Sequence, residues 1–311
     1  MARVLVTSPL SIDVRPLLLG LDVIGGDVRL DRPGLLAGVA DVDGLICLLS
    51  DRIDAELLAH APRLRVVGNH AVGVDNVDLA ACAARGVAVG NTPDVLTEAT
   101  ADLTLALVLA TARRLVEADA LVRSGGWTGW APDQLLGADL AGQTFGIVGM
   151  GRIGQAVARR AAGFDLDIVY AAPRPVAGAP GRHVTLGELL ARSDFVTLHV
   201  PLSAATRHLV GPSELAAMKP TAILINTARG PIVDEDALVA ALAAGRLGGA
   251  GLDVFAEEPR VPEALRRDAR VVVLPHIGSA TRGTRARMAA LAAGAVREVL
   301  AGRRPPNLVV G

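Results

Sequence analysis

Short apolar runs alternate along the chain with longer segments of helical periodicity. A first series of strand-length runs, rich in Val, Ile and Leu, lies at residues 3–6, 44–49, 65–69 and 87–89. A second series lies at residues 144–148, 166–170, 195–200, 222–226, 249–254 and 271–274. Because helix-length segments separate the runs, the pattern predicts parallel sheets built from βαβ units.

Two segments predict long helices. One extends from Thr97 to Val122 and stops before the glycine pair at 125–126. The other covers residues 280–301 and precedes a tail whose prolines cannot continue a helix. We therefore expect an α/β protein with two doubly wound parallel-sheet domains.

The composition argues against several classes of function. Apolar residues make up 51% of the 311 positions, which is enough to fill two cores. A net charge of −1 provides no basic surface for nucleic acid or for an anionic membrane. No signal peptide is recognisable, and no apolar segment reaches the ~20 residues of a membrane span. Cys47 and Cys82 lack the spacing of a zinc or disulfide framework, which favours buried thiols, no metal site and a cytoplasmic location.

Residues 149–154 read GMGRIG and lie between a predicted strand and a predicted helix. In this context Gly149 permits a tight turn, Gly151 lets the backbone approach a pyrophosphate, and Gly154 allows close packing of helix against strand. The free N–H groups at the start of the helix, at Arg152 and Ile153, suit an anion. The segment predicts a Rossmann-like dinucleotide site.

The end of the next strand carries the information on cofactor preference. An NAD site usually places a carboxylate about 20 residues after the first glycine, where it bonds the ribose hydroxyls. Here the sequence reads Tyr170-Ala-Ala-Pro-Arg174 and offers no carboxylate. Because a guanidinium pairs well with a 2'-phosphate, Arg174 favours NADP over NAD. The alternative is that Arg174 is an ordinary solvated loop residue.

Three polar residues follow the ends of predicted parallel strands, where open α/β sheets bind ligands: Arg229, Glu258 and His276. Reduction of a 2-oxo acid requires a cation for the carboxylate, a proton donor for the developing alkoxide, and a group that keeps the donor protonated. An arginine, a histidine and a carboxylate supply these roles. Taken alone, the three residues fit a surface ion pair and a structural histidine at least as well.

The surrounding segments decide between these interpretations. TARGPIVDEDAL (227–238), AGLDVFAEEP (250–259) and PHIGSAT (275–281) together resemble the signature blocks of the D-isomer-specific 2-hydroxyacid dehydrogenase family. NHAVGVDNVDL (69–79), NTPDVLTEATADL (91–103), GGWTGW (125–130) and GRIGQAVARRAAGF (151–164) are similar to its glyoxylate and hydroxypyruvate reductase branch. The resemblance extends from about residue 44 to the C-terminus.

The resemblance implies reduction of a small 2-oxo acid to the D-2-hydroxy acid, with residues 98–281 as an NAD(P)-binding domain inserted into a substrate domain made of residues 1–97 and 282–311. It implies Arg229 as the substrate-orienting cation, His276 as the acid and base, and Glu258 as the partner of the imidazole. The further substrate-binding residues it implies are Leu49, Ala71, Val72, Gly73 and Trp130. The further cofactor residues it implies are Pro201, Thr206, Thr227, Ala228, Asp253 and Gly278.

Trp130 corresponds to a residue that in this branch reaches a neighbouring subunit's active site, although it could equally pack in a dimer contact. Both alternatives require a homodimer. The chain departs from the family at His70, where an aromatic residue is usual, and at Pro173, which displaces an arginine. These departures leave the substrate and the cofactor preference open.

Other functions use the same scaffold. Oxidation of D-lactate, D-3-phosphoglycerate or phosphite is an enzymatic alternative, and a dinucleotide-sensing corepressor is a non-catalytic one. The complete set of Arg229, Glu258 and His276 favours an enzyme without excluding the corepressor.

Overall fold

A computed structural model describes all residues from 1 to 311 and divides the chain into two compact units. Unit 1 comprises Met1–Leu96 and Ser279–Gly311, and unit 2 comprises Thr97–Gly278. The sequence-based boundaries at 97/98 and 281/282 lie close to the boundaries at 96/97 and 278/279. None of the helices combines the length and the apolar character that crossing a membrane requires.

The helices and strands follow the predicted alternation. In the first part of unit 1 they are β1 (Arg3–Val6), β2 (Asp22–Gly25), α1 (Arg32–Gly38), β3 (Gly44–Cys47), α2 (Ala55–His60), β4 (Val66–Asn69), α3 (Leu79–Ala84) and β5 (Ala88–Gly90). In unit 2 they are α4 (Thr97–Ala112), α5 (Leu115–Arg123), β6 (Thr144–Val148), α6 (Arg152–Ala161), β7 (Asp167–Ala171), β8 (Arg182–His183), α7 (Leu186–Arg192), β9 (Phe195–Leu198), α8 (Pro212–Ala217), β10 (Ile223–Asn226), α9 (Glu235–Ala243), β11 (Gly249–Leu252), α10 (Glu263–Arg267) and β12 (Val271–Val273). The chain returns to unit 1 with α11 (Arg282–Leu300) and β13 (Leu308–Val310).

The sheet of unit 1 has the order β13-β5-β4-β3-β1-β2. Its strands pair in parallel except for β13, which runs antiparallel to β5. Strand glycines allow α11 to approach the sheet closely. A Cβ on Gly44 would lie 2.8 Å from a methyl of Val296, and a Cβ on Gly68 would lie 2.6 Å from the carbonyl oxygen of Ala292. The small residues of the sheet and of the helix therefore fit one another.

The sheet of unit 2 has the order β12-β11-β10-β9-β6-β7-β8 and is parallel throughout. Residues of α4 and α6 share one hydrophobic cluster with Phe145, Ile147 and Phe195. Residues of α7, α8 and α9 share a second cluster with Val196 and Leu198. Because successive strand residues point to opposite faces, helices cover both faces of this sheet. The predicted doubly wound fold is confirmed.

The structure corrects the prediction of one continuous helix from Thr97 to Val122. The helix ends at Ala112 and a new one begins at Leu115, with Arg114 in the left-handed region at φ 50°. Ala138 donates its backbone N–H to the carbonyl oxygen of Ala112 at 2.9 Å, which supplies a partner outside the helix. The prediction also omitted three short strands at the edges of the sheets, β2, β8 and β13.

Candidate active site

His276 and Glu258 form a hydrogen-bonded pair in unit 2. Nδ1 of His276 lies 2.9 Å from Oε2 of Glu258, and the side chains are 21% and 31% exposed. Burial raises the pKa of Glu258, but the hydrogen bond and charge of His276, the N–H of Phe255 and the charge of Arg229 lower it below its usual value overall. An ionised carboxylate only accepts hydrogen bonds, so Nδ1 carries a proton and Nε2 faces away from the pair.

The buried carboxylate of Asp253 holds the backbone turn that carries His276. Its two oxygens accept the N–H groups of Ile277 and Gly278, both at 2.7 Å, and its carbonyl oxygen accepts the N–H of His276 at 2.9 Å. His276 itself has φ 54°, in the left-handed region that is costly for a residue with a side chain. Asp253 thus stabilises a backbone conformation that directs the imidazole toward Glu258.

Arg229 follows β10, the strand beside β11. Asn226, 1% exposed at the end of β10, closes this loop: its Nδ2 donates to the carbonyl oxygen of Arg229 at 2.8 Å, and its Oδ1 accepts the N–H of Ala228 at 3.0 Å. The guanidinium of Arg229 donates to the carbonyl oxygen of Ala228 at 2.8 Å. The loop is therefore fixed at both ends before any ligand binds.

The loops after β10 and β11 are packed backbone to backbone. A Cβ added at Gly230 would lie 1.9 Å from the carbonyl carbon of Phe255, so no larger residue fits there. Phe255 in turn donates its N–H to Oε1 of Glu258 at 3.2 Å. Because β10, β11 and β12 are neighbours in the sheet, Arg229, Glu258 and His276 lie along one edge of unit 2.

The three glycines of the glycine-rich turn differ in the space around them. Gly149 has φ 96°, and a Cβ there would lie 2.6 Å from the carbonyl oxygen of His199. A Cβ on Gly154 would lie 2.1 Å from the carbonyl oxygen of Gly149, whereas a Cβ on Gly151 would meet nothing within 4 Å. Helix α6 begins at Arg152 without a side-chain cap. The turn therefore leaves open space beside uncapped N–H groups, which fits a dinucleotide pyrophosphate.

The loop after β7 is held from two sides. Tyr170 accepts the N–H of Val176 on its hydroxyl at 3.0 Å, and Nε2 of His183 lies 3.0 Å from the carbonyl oxygen of Ala172. Between these two contacts Arg174 is exposed, and it forms no hydrogen bond or ion pair within the protein. The loop thus presents an unpaired guanidinium near the glycine-rich turn, since β7 pairs with β6.

The remaining predicted cofactor residues of unit 2 also follow strand ends. The hydroxyl of Thr206 donates to the carbonyl oxygen of Pro201 at 2.6 Å and closes the loop after β9. The hydroxyl of Thr227 lies 2.9 Å from that of Thr104, whose own proton is directed to the carbonyl oxygen of Thr100. The hydroxyl of Thr227 therefore donates to Thr104 in α4. Ala228 is the next residue along the chain, and Gly278 is buried in the turn that carries His276.

The predicted substrate loop belongs to unit 1, where Leu49 follows β3 and residues 71–73 follow β4. Asn69, Asn91 and Thr92 donate hydrogen bonds to the carbonyl oxygens of Gly73, Val72 and Ala71. The N–H groups of Val72 and Gly73 meet no acceptor within unit 1. Two adjacent N–H groups without acceptors are a feature of anion sites.

His70 does not have the surroundings of a proton donor. It is 3% exposed, and its Nδ1 has no hydrogen-bond partner. Burial and the charge of Arg285 lower the pKa of His70 to about 4, so the ring is neutral near pH 7. Trp130, in unit 2, is 82% exposed.

Sequence patterns do not indicate the role of Asn226 or the packing role of Gly230. An asparagine directly at a strand end is the only local signal for the former. The contact of Gly230 joins segments that are distant in sequence, so no local pattern predicts it.

Comparisons with known proteins identify the family. The profile of a protein family described as D-isomer specific 2-hydroxyacid dehydrogenase, NAD binding domain, matches residues 105–278. The glyoxylate reductase of Thermococcus litoralis is 51% identical over 286 residues, which cover 89% of this chain and 86% of that protein. The glyoxylate reductase of Pyrococcus horikoshii is 49% identical over 298 residues, which cover 93% and 89% of the two chains.

Two solved structures are similar over nearly the whole length. A protein of Thermus thermophilus is 51% identical with a TM-score of 0.92, and the match covers 99% of this chain and 100% of that one. An NADPH-dependent glyoxylate/hydroxypyruvate reductase of Sinorhizobium meliloti, solved in complex with NADP and malonate, is 37% identical with a TM-score of 0.88. That match covers 99% of this chain and 96% of the other.

Proposed function

Because the chain belongs to the D-isomer specific 2-hydroxyacid dehydrogenase family, we propose that it reduces glyoxylate or hydroxypyruvate to the corresponding 2-hydroxy acid. The observation that carries this proposal is the pair of His276 and Glu258 on the sheet edge that also carries Arg229. The names of the two relatives described above, both glyoxylate reductases, supply the substrate class. As a member of this family, the chain binds a nicotinamide dinucleotide.

In the proposed reaction, His276 provides the proton. Its Nδ1–H is committed to Glu258, so Nε2 is the atom that protonates the carbonyl oxygen of the 2-oxo acid. In the reverse direction Nε2 accepts the hydroxyl proton. Glu258 fixes the ring orientation and stabilises the imidazolium, and Arg229 pairs with the substrate carboxylate.

The dinucleotide supplies the hydride when it is bound. Residues 149–154, with the N–H groups of Arg152 and Ile153, hold its pyrophosphate. The other proposed contacts are Pro201, Thr206, Thr227, Ala228, Asp253 and Gly278. Each oxygen of Asp253 has accepted one backbone N–H, and each retains a second lone pair for a ligand donor.

Unit 1 is the proposed substrate domain. The free N–H groups of Val72 and Gly73 are suited to the carboxylate of the 2-oxo acid, and Leu49 and Ala71 contribute apolar surface near them. Unit 2 is the proposed dinucleotide domain, which the family profile over residues 105–278 supports.

The proposed preference is for NADP over NAD. It is supported by the absence of a carboxylate at the end of β7 and by the exposed, unpaired Arg174. The NADP complex of the Sinorhizobium meliloti relative is consistent with it.

The protein is further proposed to be a cytoplasmic homodimer. Two buried free thiols, Cys47 and Cys82, suit a reducing compartment. The exposure of Trp130 and Leu136, 82% and 67%, supports a subunit contact or a contribution of Trp130 to a neighbouring active site.

The decisive experiment measures initial rates of nicotinamide oxidation with glyoxylate and hydroxypyruvate, each with NADPH and with NADH. Turnover of either acid supports the proposal, and the ratio of kcat/KM between the cofactors tests the preference. Dinucleotide binding without turnover of either acid would contradict the proposal and favour another oxyanion substrate or a sensing role.

A further inference from the structure

One hydrogen bond connects the loop of Arg229 with the loop of Glu258. Glu235, the first residue of α9, follows the Arg229 loop, and its Oε1 accepts the N–H of Ala256 at 2.6 Å. Ala256 lies two residues before Glu258 in the loop after β11. The side chain of Glu235 therefore spans from one loop to the other.

This contact is not required for capping the helix. Asp234 already caps α9, because its Oδ1 accepts the N–H of Ala237 at 3.0 Å. The carboxylate of Glu235 therefore accepts its hydrogen bond from the neighbouring loop and not from its own helix. Burial raises the pKa of Glu235, and the nearby acids Asp236 and Glu257 raise it further, so a carboxylate is held here at some cost in free energy.

The segment that Glu235 holds also holds Glu258. Two successive N–H groups point at carboxylates: that of Phe255 donates to Oε1 of Glu258 and that of Ala256 donates to Oε1 of Glu235. Gly230 packs against the carbonyl group of Phe255, which belongs to the same peptide unit as the N–H of Ala256. The two N–H groups belong to adjacent peptides that meet at the Cα of Phe255. Releasing the N–H of Ala256 lets the Phe255–Ala256 peptide rotate and Phe255 shift, and Phe255 carries the N–H that orients Glu258.

We propose that Glu235 is a positioning residue for catalysis, which acts by holding the Ala256 peptide so that Glu258 remains aligned on His276. The inference rests on the proposed function, in which the imidazole is the proton donor. Glu235 touches neither substrate nor cofactor in this role. Its contribution is to the geometry of the proton transfer rather than to binding.

The experiment compares Glu235→Ala, Glu235→Gln and Asp236→Ala in the full chain. Alanine removes the acceptor, whereas glutamine keeps an oxygen in the same place without the charge. Asp236 is the adjacent exposed acid of the same helix and serves as the matched control. We expect Glu235→Ala to lower kcat on the order of tenfold while KM for glyoxylate changes little, because misplaced groups mainly slow the chemical step. Glu235→Gln should restore most of the rate, and Asp236→Ala should behave as the unmodified enzyme.

Repeating Glu235→Ala in a Glu258→Gln background separates positioning from general stability. If Glu235 acts through Glu258, its substitution costs little once Glu258 is already replaced. Equal losses in both backgrounds, a rate for Glu235→Ala within about twofold of the unmodified enzyme, or a failure of glutamine to restore activity would each overturn the proposal.

A readout without turnover keeps the test independent of the substrate assignment. The Nδ1–H of His276 gives its own signal in the proton–nitrogen NMR spectrum of the imidazoles while it is bonded to Glu258. We expect this signal to broaden or disappear in Glu235→Ala and to return in Glu235→Gln. An unchanged signal in Glu235→Ala contradicts the proposal, whereas an inactive unmodified enzyme with the expected spectra contradicts only the proposed function.

Discussion

At the scale of single residues, the carboxylate partner of His276 distinguishes this ring from His70. The chain has six histidines, and His70 is another that lies close to a predicted ligand loop. His70 is buried with a pKa lowered to about 4, whereas His276 is partly exposed and paired with a carboxylate. The family resemblance of residues 275–281 already selects His276 from the sequence, and the surroundings in the folded chain give the physical difference between the two rings.

Replacing His276 with glutamine tests its role directly. Glutamine retains a polar side chain of similar length but cannot protonate an alkoxide. We expect kcat to fall by about 10²–10⁴-fold, the usual contribution of a positioned acid, with dinucleotide affinity nearly unchanged. Steady-state rates and a fluorescence titration with NADPH measure the two effects. His70→Gln is the control. An equal loss of rate in that variant would show that the assignment of the proton donor to His276 is wrong.

The carboxylate of Glu258 leads to a prediction about stability and pH. Its pKa is below the usual value in the folded chain and about 4.3 in an unfolded one. A group with a lowered folded pKa stabilises the fold above its unfolded pKa, and that contribution is lost as the pH falls through the folded pKa. Glu258→Gln should therefore lower the urea midpoint at neutral pH, and the deficit should shrink below about pH 4. Glu257→Gln, at the neighbouring exposed position, should show no such deficit. A deficit of Glu258→Gln that grows on acidification would contradict a lowered pKa of Glu258 in the folded chain.

At the scale of helices and strands, local patterns predicted most of the parallel strands of both units and failed at short edge strands and at one helix end that a distant segment contacts. The helical periodicity of residues 97–122 contains no breaker, yet the helix stops at Ala112. At this end the helix meets a distant segment: a Cβ on Gly137 would lie 2.3 Å from the carbonyl oxygen of Ala112, and Ala138 donates its N–H to that oxygen. The edge strands β2 and β8 were missed because strands so short carry too little periodicity.

The glycine-rich turn allows folding and binding to be separated. Gly151 has open space around its Cα, so alanine there should leave the thermal midpoint nearly unchanged and weaken dinucleotide binding. Alanine at Gly154 would meet the carbonyl oxygen of Gly149 at 2.1 Å and should destabilise the fold by about 1–3 kcal/mol or more. Thermal melts and NADPH titrations of both variants measure this contrast. If Gly151→Ala bound NADPH normally, the turn would not be the pyrophosphate site.

The loop between β7 and β8 supplies the prediction on cofactor preference. Tyr170 and His183 hold the backbone of this loop on either side of Arg174, so little of the loop has to be ordered when the guanidinium binds a ligand. Arg174→Ala should raise KM for NADPH about tenfold, the value of one lost charged hydrogen-bond pair, and leave KM for NADH unchanged. Arg192→Ala, an exposed arginine at the end of α7, is the control. A similar rise for both cofactors would refute the role in binding the 2'-phosphate.

At the scale of the whole molecule, the sequence predicts the repeated alternation of strands and helices well, and it predicts contacts between distant loops poorly. Two alternating series of strands and helices predicted two doubly wound sheets, because that periodicity is a property of the backbone geometry. Asn226, Gly230 and Glu235 lie at or just after the end of β10, and their contacts hold this loop and join it to the loop after β11. These contacts depend on the strand order that places the two loops side by side, so the sequence alone does not predict them.

The large exposed apolar side chains are concentrated in one segment of the chain. Six of the eleven large exposed hydrophobic residues fall in one stretch of unit 2: Leu115, Val116, Val122, Trp127, Trp130 and Leu136. Such a concentration is unusual for a surface that remains in water and is typical of a subunit contact. The protein should therefore sediment as a dimer at micromolar concentration, and the double substitution Trp130→Asp with Leu136→Asp should yield monomers. Leu19→Asp, an equally exposed position in unit 1, should leave the dimer intact. Monomers in the unmodified protein would remove the basis for the homodimer, and an active monomeric variant would show that Trp130 is not needed in a neighbouring active site.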